Sequence, residues 1–320
     1  MIIGKRIGLK LGKATRDAFG EALRDLGRTR GDIVVLDGDV NNSTRTEYFA
    51  KEFPDRFFNI GIAESNLVGI ASGFAACGKM AFIASFACFV MCNAFDQLRM
   101  SVAFPKQTVK VVGSHAGVSI GADGPSQMGI EDIALACALP NFKVFVPADE
   151  HAARALTRIM ASFDGPAYMR TGRPAFPVVY DANTQFTLGQ ANQLRSGKDL
   201  TIIASGLMVA AALEAAYLLE QQNLDARVLD MHTIKPLDEE AIARAAYETG
   251  CIVTAEEHLL SGGMGSEVAR VVARTHAVPM EFVGISDTYA TSGDPDKLLQ
   301  RYGLTADDIV AAALKALARK

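Results

Sequence analysis

Short apolar runs alternate with amphipathic stretches through the first 170 residues. Strands are predicted at 33–36, 80–86, 109–112, 143–146 and 167–170, and helices at 15–26, 63–76, 92–102, 130–139 and 150–161. Strands that are apolar along their whole length are typical of parallel sheets covered on both faces. The alternation therefore predicts an α/β domain with right-handed crossovers between its strands.

The periodicity lapses into a polar stretch between residues 180 and 198, and a second alternation follows it. Strands are predicted at 200–204, 227–229, 251–255 and 281–283, and helices at 207–221, 239–248 and 265–274, before two closing helices, the last over 306–319. A chain of 320 residues is long enough for two domains with sizeable cores. We predict two α/β domains, 1–185 and 186–320, each a mostly parallel sheet flanked by helices.

Residues 69–95 are mostly apolar and carry Lys79 as their only charge, so a membrane span has to be considered. Gly73, Gly78 and Lys79 divide the segment into a helix, a turn and the strand at 80–86. Apolar runs of these lengths are what a parallel sheet covered on both faces requires. We therefore expect core and no membrane association.

The composition is that of an ordinary globular protein: 49% hydrophobic, 21% charged and a formal net charge of -4. The absence of a basic excess argues against nucleic-acid binding. Five cysteines lie in apolar sequence without paired zinc spacing, and we expect them to be buried reduced thiols: Cys77, Cys88, Cys92, Cys137 and Cys251. The first six residues lack the order of a signal peptide, so we expect a cytoplasmic protein.

Glu64 stands between two apolar segments, where a charge is unexpected. Residues 57–62 form a short apolar run that we interpret as a strand edge, and a helix of small residues begins at Ala63. The helix dipole favours a carboxylate in the first turn by about 0.3–1 kcal/mol, so an ordinary first-turn acid remains an alternative. Because both flanks are apolar, a buried Glu64 would also need a strong partner.

Other candidate residues follow predicted strands, which is where open α/β sheets bind ligands. Phe86 and Phe89 can present both rings on one side, although core aromatics would show the same spacing. His115 and Asp123 lie on a long glycine-rich loop, which favours a functional role over a place in the core. Arg173 follows the strand at 167–170, and arginine there could bind phosphate or be an ordinary surface residue.

Together these segments resemble the transketolase family. Residues 62–66 read I-A-E-S-N, like the family's I-A-E-x-N, and residues 85–89 read S-F-A-C-F, like its T-F-x-x-F. Residues 113–127 resemble the family's G-S-H-x-x-x-x-x-G-x-D-G-x-[ST]-[HQ] run, and residues 170–174 match its R-T-[SG]-R-P. The resemblance covers essentially the whole chain and identifies 1–185 as a pyrimidine-binding domain and 186–320 as a transketolase C-terminal domain.

The resemblance implies a role for each candidate residue. Glu64 would contact the aminopyrimidine of thiamine diphosphate as a catalytic residue, and the rings of Phe86 and Phe89 would pack on that pyrimidine. His115 would line the substrate channel near the sugar phosphate, and Asp123 would meet the hydroxyl next to the donor carbonyl; both count as catalytic and substrate-binding.

Three further residues are implied in binding substrate phosphate. Arg173 carries over from the second arginine of the R-T-[SG]-R-P motif, and Arg16 and Ser43 lie in segments that resemble those supplying a phosphate-binding arginine and serine. Gln127 stands where many transketolases have a second histidine and others have glutamine. His258, in a Glu-His pair before a glycine-rich turn, is interpreted as structural because three or four metal ligands are not in evidence.

The resemblance also implies a missing part. The family's diphosphate- and magnesium-binding domain carries G-D-G followed well downstream by an Asn pair, whereas here D-G-D at 37–39 and N-N at 41–42 lie too close together. We assign no metal ligand in this chain and expect the Mg²⁺ ligands on a partner, a separate N-terminal transketolase subunit. The assembly expected is a homodimer or heterotetramer that acts on sugar phosphates.

The resemblance leaves three functions open. The favoured one is the C-terminal subunit of a split transketolase, which transfers a two-carbon ketol unit from a ketose phosphate to an aldose. The second is a subunit of another thiamine-diphosphate enzyme, deoxyxylulose-phosphate synthase-like or a 2-oxoacid dehydrogenase beta subunit. The third is a non-catalytic regulatory subunit. Asp123 and the phosphate-binding arginines argue against the second, and an intact Glu64 with both phenylalanines argues against the third.

Overall fold

The structure is a computed structural model that describes residues 1–320, and it confirms two α/β arrangements with mostly parallel sheets. Strands in the first half are β1 (Leu11–Ala14), β2 (Ile33–Asp37), β3 (Phe57–Asn59), β4 (Met80–Phe86), β5 (Val109–Ser114), β6 (Lys143–Phe145), β7 (Ala167–Arg170) and β8 (Ala175–Pro177). Helices there are α1 (Thr15–Thr29), α2 (Asn41–Thr44), α3 (Glu47–Glu52), α4 (Glu64–Ala76), α5 (Ala87–Cys92), α6 (Phe95–Gln97), α7 (Asp132–Ala138) and α8 (Glu150–Met160).

The second half repeats the alternation after the polar stretch. Its strands are β9 (Asn192–Arg195), β10 (Leu200–Ala204), β11 (Ala226–Asp230), β12 (Thr233–Lys235), β13 (Ile252–Leu259) and β14 (Met280–Ile285). Its helices are α9 (Met208–Glu220), α10 (Glu239–Thr249), α11 (Met264–Thr275), α12 (Pro295–Arg301) and α13 (Ala306–Leu317). The boundary at residues 185 and 186 stays a prediction.

The strands form three sheets. The largest has seven strands in the order β12-β6-β7-β5-β4-β2-β3, and only β12 runs antiparallel to its neighbour. A five-stranded sheet has the order β14-β13-β10-β11-β9, with β9 antiparallel at its edge, and β1 pairs with β8 in a separate antiparallel ribbon. The four strands that sequence analysis missed are these edge or ribbon strands, whose pairing depends on a neighbour rather than on their own apolar pattern.

Two sequence predictions need correction. The helix predicted at 92–102 begins earlier, at Ala87, and is broken after Cys92, then continues through α6 into a π-helical turn. The Ser65 hydroxyl donates to the Asn93 carbonyl at the break, so this carbonyl bonds outside its own helix. The second correction concerns the cysteines. All five are free, but Cys77 and Cys92 are exposed, because both lie at helix ends on the surface, and Cys137 is half-buried.

Burial changes the acidity of two further thiols. It raises the pKa of Cys88 and of Cys137 to about 12.

The long apolar segment lies in the core of the first half, as expected. Residues 69–95 form most of α4, all of β4 and α5, and β4 is buried between its neighbours. None of the helices combines the length and the apolar character that a membrane crossing requires.

The two halves share an apolar core rather than being joined only by a linker. One buried cluster contains side chains from the first sheet together with Leu229, Ile234 and Val268 from the second half. Asp149 supports the junction from within the first half: it caps α8 by accepting from the Ala152 N–H, and its other oxygen accepts from the N–H groups of residues 179 and 180. The Tyr180 hydroxyl in turn donates to Asp230 of the second half. The fold thereby fixes the sheet edge on which the site is built.

This junction generates a stability prediction. Replacing Asp149 by Ala should lower the free energy of unfolding by about 3–5 kcal/mol, because three N–H groups around a buried position lose a charged acceptor. Thr305→Ala, which removes only the cap of α13, should cost about 1 kcal/mol. Denaturant unfolding measures both. Equal losses in the two variants would show that Asp149 acts only as a helix cap.

Candidate cofactor and substrate site

The carboxyl ends of β2, β4, β5 and β7 meet at one edge of the seven-stranded sheet. Phe86 at the end of β4 lies in register with Ser114 of β5, and Gly113 lies in register with Arg170 of β7. Because neighbouring parallel strands end together, the loops that follow them converge. Every candidate residue lies on or beside one of these loops or on an adjoining helix start.

Glu64 begins α4 and is buried, with 5% of its surface exposed. One carboxylate oxygen accepts from the Ser85 hydroxyl at 3.2 Å, and the other accepts from the Asn93 side-chain amide at 3.4 Å. A carboxylate offers about four acceptor positions, so two long hydrogen bonds leave capacity for a further donor. This buried and under-used carboxylate fits a ligand that supplies a hydrogen-bonding nitrogen.

Three flat rings stack at the end of the strand whose Ser85 bonds that carboxylate. The Phe86 and Phe89 rings are nearly parallel, with planes 6° apart and centroids separated by 5.6 Å. The His115 imidazole stacks on Phe86 with a centroid distance of 3.9 Å. Since Ser85 and Phe86 are consecutive residues of β4, the Glu64 carboxylate and the ring stack are tied to one strand end. The arrangement fits the binding of a planar aromatic group.

The hydrogen bonds of His115 indicate its protonation state. Its Nε2 lies 3.3 Å from Nη1 of Arg16, which can only donate, so Nε2 must accept. The ring proton is therefore assigned to Nδ1, which lies 2.6 Å from the Ser114 hydroxyl oxygen. Burial lowers the pKa of His115 to about 3, and the positive charges of Arg16, Arg173 and Arg45 act in the same direction. His115 is neutral near pH 7.

Arg16 and Ser43 come together across the start of α1 and the short helix α2. Nη1 of Arg16 donates to the Ser43 carbonyl at 2.9 Å. Asp37, at the end of β2, holds the α2 segment by accepting from the Val40 N–H and from the Thr44 hydroxyl. Burial raises the pKa of Asp37. The buried carboxylate thus fixes the segment that presents Ser43 to Arg16.

Arg173 and Asp123 form an ion pair of 2.9 Å on the other side of the cleft. The same guanidinium donates to the Ile120 carbonyl at 3.2 Å. A cleft of about 550 Å³ lies between the two arginines, and its lining also includes Ser119 and residues 293–295 of the second half. The Ser119 hydroxyl is buried and has no hydrogen-bond partner. Two guanidinium groups facing one cleft suit an anionic ligand such as a phosphate.

The structure therefore groups the predicted site residues into two neighbouring sets. Glu64, Phe86 and Phe89 form the aromatic face. Arg16 and Arg173 line the cleft, and three further residues contact one of these arginines: Ser43, His115 and Asp123. His115 contacts both sets, through Phe86 and through Arg16. Gln127 accepts from the neighbouring Ser126 hydroxyl.

Metal ligands are not part of this arrangement. No three histidine, cysteine, aspartate or glutamate side chains of the chain converge to hold a metal ion. His258 is fully buried, and its Nε2 accepts from the Ala134 N–H at the start of α7, which is a structural contact. The residues present therefore fit an aromatic ring and an anion but do not fit Mg²⁺.

Comparison with known families agrees with this division. Residues 12–178 match the transketolase pyrimidine binding domain, and residues 189–309 match the transketolase C-terminal domain. The chain belongs to the transketolase family. The resemblance in the motifs is thereby confirmed, and transketolase domains of this kind account for both sheets.

Two relatives of the transketolase family are similar over nearly their whole length. The 6-deoxy-6-sulfo-D-fructose transketolase subunit SqwH of Clostridium sp. (strain MSTE9) is 39% identical over 95% of each chain. An apulose-4-phosphate transketolase subunit of Phocaeicola vulgatus is 38% identical over 94% of this chain and 97% of its own. A solved structure described as a split gene transketolase, inactive beta4 tetramer, has a TM-score of 0.91 and 47% identity, covering 97% of this chain and all of that one.

The chain spans about half the length of the full transketolases that it matches. It is 40% identical to human transketolase over 96% of this chain but only 49% of the human protein. This chain therefore contains the pyrimidine-binding and C-terminal domains of the family, and its length is close to that of the two subunits named above.

Several residues that organise the site were not predicted from the sequence. Asp37 and Ser85 lie at the ends of adjacent strands, and this position could have marked them. Asn93 and Ser119 carry no such signal, because their roles depend on a broken helix and on a cleft that only the folded chain forms.

The environment of His115 generates a pH prediction. Since burial and three arginines keep its pKa near 3, its imidazole NMR signals should stay unchanged from about pH 8 to pH 5. The unfolded chain takes up a proton near pH 6.5, so this histidine should destabilise the fold progressively below that pH. Arg16→Gln should raise the pKa of His115, and His115→Asn identifies the signals. A midpoint between about pH 5 and 7 in the unmodified protein would contradict the prediction.

Proposed function

We propose that this chain is the pyrimidine-binding, C-terminal subunit of a split, thiamine-diphosphate-dependent transketolase. The proposed reaction is transfer of a two-carbon ketol unit from a ketose phosphate to an aldose. The observation that supports it best is the contact of His115 with both the Phe86 ring and the Arg16 guanidinium. An aromatic cofactor face and an anion-binding cleft therefore adjoin at one imidazole.

The buried face would bind the cofactor's pyrimidine. Thiamine diphosphate, when bound, supplies the carbon nucleophile and the electron sink of ketol transfer. Glu64 and a pyrimidine ring nitrogen would share one proton in a hydrogen bond, because each is only an acceptor without it, and the bonds from Ser85 and Asn93 leave room for this contact. Phe86 and Phe89 would pack on the pyrimidine and exclude water from the Glu64 carboxylate.

The cleft would bind the sugar phosphate. Arg173 and Arg16 offer guanidinium groups for the phosphate, with Ser43 beside Arg16. Asp123 would accept a hydrogen bond from the donor hydroxyl next to the carbonyl, and its ion pair with Arg173 orients it. Neutral His115 presents Nε2 as an acceptor that a substrate hydroxyl can use in place of Arg16. A phosphorylated, hydroxylated substrate suits these groups better than pyruvate does.

Activity would require a partner. The chain offers no converging metal ligands, so we propose that Mg²⁺ and the cofactor's diphosphate are held by a separate N-terminal subunit in a heterotetramer or larger assembly. The similar subunits named above and the description of a beta-only tetramer as inactive support this proposal. Free thiols at all five cysteines support a cytoplasmic location.

Calorimetry tests the partner requirement. Thiamine diphosphate and Mg²⁺ are titrated into this chain alone and then into its mixture with the subunit that carries the diphosphate-binding domain. We expect measurable binding only in the mixture. Tight binding by the lone chain would overturn the assignment of the diphosphate site to a partner.

Glu64→Gln tests the catalytic assignment. In the assembled enzyme, kcat for ketol transfer should fall by roughly 10²–10⁴-fold, because the amide cannot exchange a proton with the pyrimidine. Glu150→Gln is the matched control, since Glu150 is also a first-turn glutamate and should leave kcat nearly unchanged. Equal kcat values in the two variants would show that Glu64 has no catalytic role and interacts only with the helix dipole.

Arg173→Ala tests the substrate class. Loss of a guanidinium that binds phosphate should raise KM for a ketose phosphate by roughly 10–100-fold. KM for an unphosphorylated ketose should rise less, because that substrate loses only the orientation of Asp123 by its ion pair. Arg158→Ala on the outer face of α8 should change neither KM. If pyruvate were the substrate consumed and ketose phosphates were inert, the related synthase or dehydrogenase function would replace this one.

A further inference from the structure

The second domain contacts the glycine-rich loop through a buried carboxylate. Glu257 of β13 is 6% exposed, and its Oε1 accepts from the Ser119 N–H at 2.6 Å. The Glu257 carbonyl accepts from Nη1 of Arg170, the residue that ends β7. One residue of the second domain is thus bonded to both the strand and the loop that form the cleft.

The loop's glycines lie against the same domain. Residues 117, 121 and 124 are glycines with φ between 79° and 85°, a region that other residues rarely adopt. A Cβ at any of them would collide with a side chain of the second domain, respectively with Glu257, Pro295 and Ser292. The path of the loop between His115 and Asp123 therefore follows the surface of the second domain.

We propose that Glu257 is a positioning residue for the glycine-rich loop that carries His115 and Asp123, so that the C-terminal domain takes part in substrate binding. The inference rests on the proposed function for its consequence, because His115 and Asp123 bind substrate only if that function is correct. Ser119 lies four residues from each of them, so the Glu257 bond to Ser119 fixes the middle of the segment that joins them.

Glu256 provides a matched control. It is the adjacent residue of β13 and is also buried, with 1% exposed. Its carboxylate accepts from the N–H groups of Met264 and Gly265 at the start of α11 and makes no hydrogen bond to the loop. Adjacent residues of a strand point to opposite faces, so the two variants remove equivalent carboxylates on different sides.

Hydrogen–deuterium exchange of the lone chain tests the contact without any activity. Glu257→Ala should speed exchange of the amides of residues 117–124 by roughly tenfold or more, because the Ser119 N–H loses a charged acceptor. Glu257→Gln keeps an acceptor oxygen and should stay close to the unmodified protein. Glu256→Ala should speed exchange at the start of α11 and leave the loop protected. Unchanged loop exchange in Glu257→Ala, or equal loop exchange in both alanine variants, would overturn the proposal.

Kinetics of the assembled enzyme tests the consequence. Glu257→Ala should raise KM for the ketose phosphate by roughly tenfold, with thiamine diphosphate affinity unchanged and activity restored in Glu257→Gln. Gly117→Ala serves if Glu257→Ala does not fold, because its Cβ displaces the loop from Glu257 and should raise KM in the same way. An unchanged KM in a folded variant with a loosened loop would overturn the positioning role. Absence of ketol transfer in the unmodified enzyme would instead refute the proposed function.

Discussion

The buried guanidinium of Arg170 is the constraint on which the site depends. Its Nε and Nη2 bond to the carboxylate of Asp132, Nη2 also donates to the Gly129 carbonyl, and Nη1 donates to the Glu257 carbonyl. A buried charge costs several kcal/mol unless its donors are all satisfied. The end of β7, the end of the glycine-rich loop, the start of α7 and β13 must therefore meet around this one side chain. Arg173, three residues later, is left free to face the cleft.

The electrostatics of the cleft follow from that arrangement. Burial and the charges of Arg16, Arg45 and Arg173 keep His115 neutral. Asp123 pairs with Arg173, and Asp17 and Glu47 pair with Arg45, which leaves Arg16 without an acidic partner. The Arg16 guanidinium is therefore available to an anion in the cleft, and the neutral imidazole beside it can accept a hydrogen bond without competing for a proton. An anionic, hydroxylated substrate is the chemistry for which these features are suited.

The aromatic face and the cleft are also held differently. Glu64, Phe86 and the strand ends belong to the first domain alone, whereas the loop that carries His115 and Asp123 lies between both domains. The proposed cofactor contact, built at one sheet edge, should tolerate changes in the second domain. The loop residues proposed to bind substrate do not have this independence, because their loop is bonded to the C-terminal domain.

The sequence alone determined the α/β class, the main strands and the candidate residues, because apolar runs and short motifs such as R-T-G-R-P are local properties of the chain. It did not determine β1, β8, β9 or β12, whose pairing needs a neighbour, nor the exposure of Cys77 and Cys92. The sequence also could not separate the structural Arg170 from the cleft residue Arg173, or show that Glu257 bonds to the glycine-rich loop. Those outcomes depend on contacts between residues far apart in sequence, and only the packing of the two sheets decides which buried charge meets which partner.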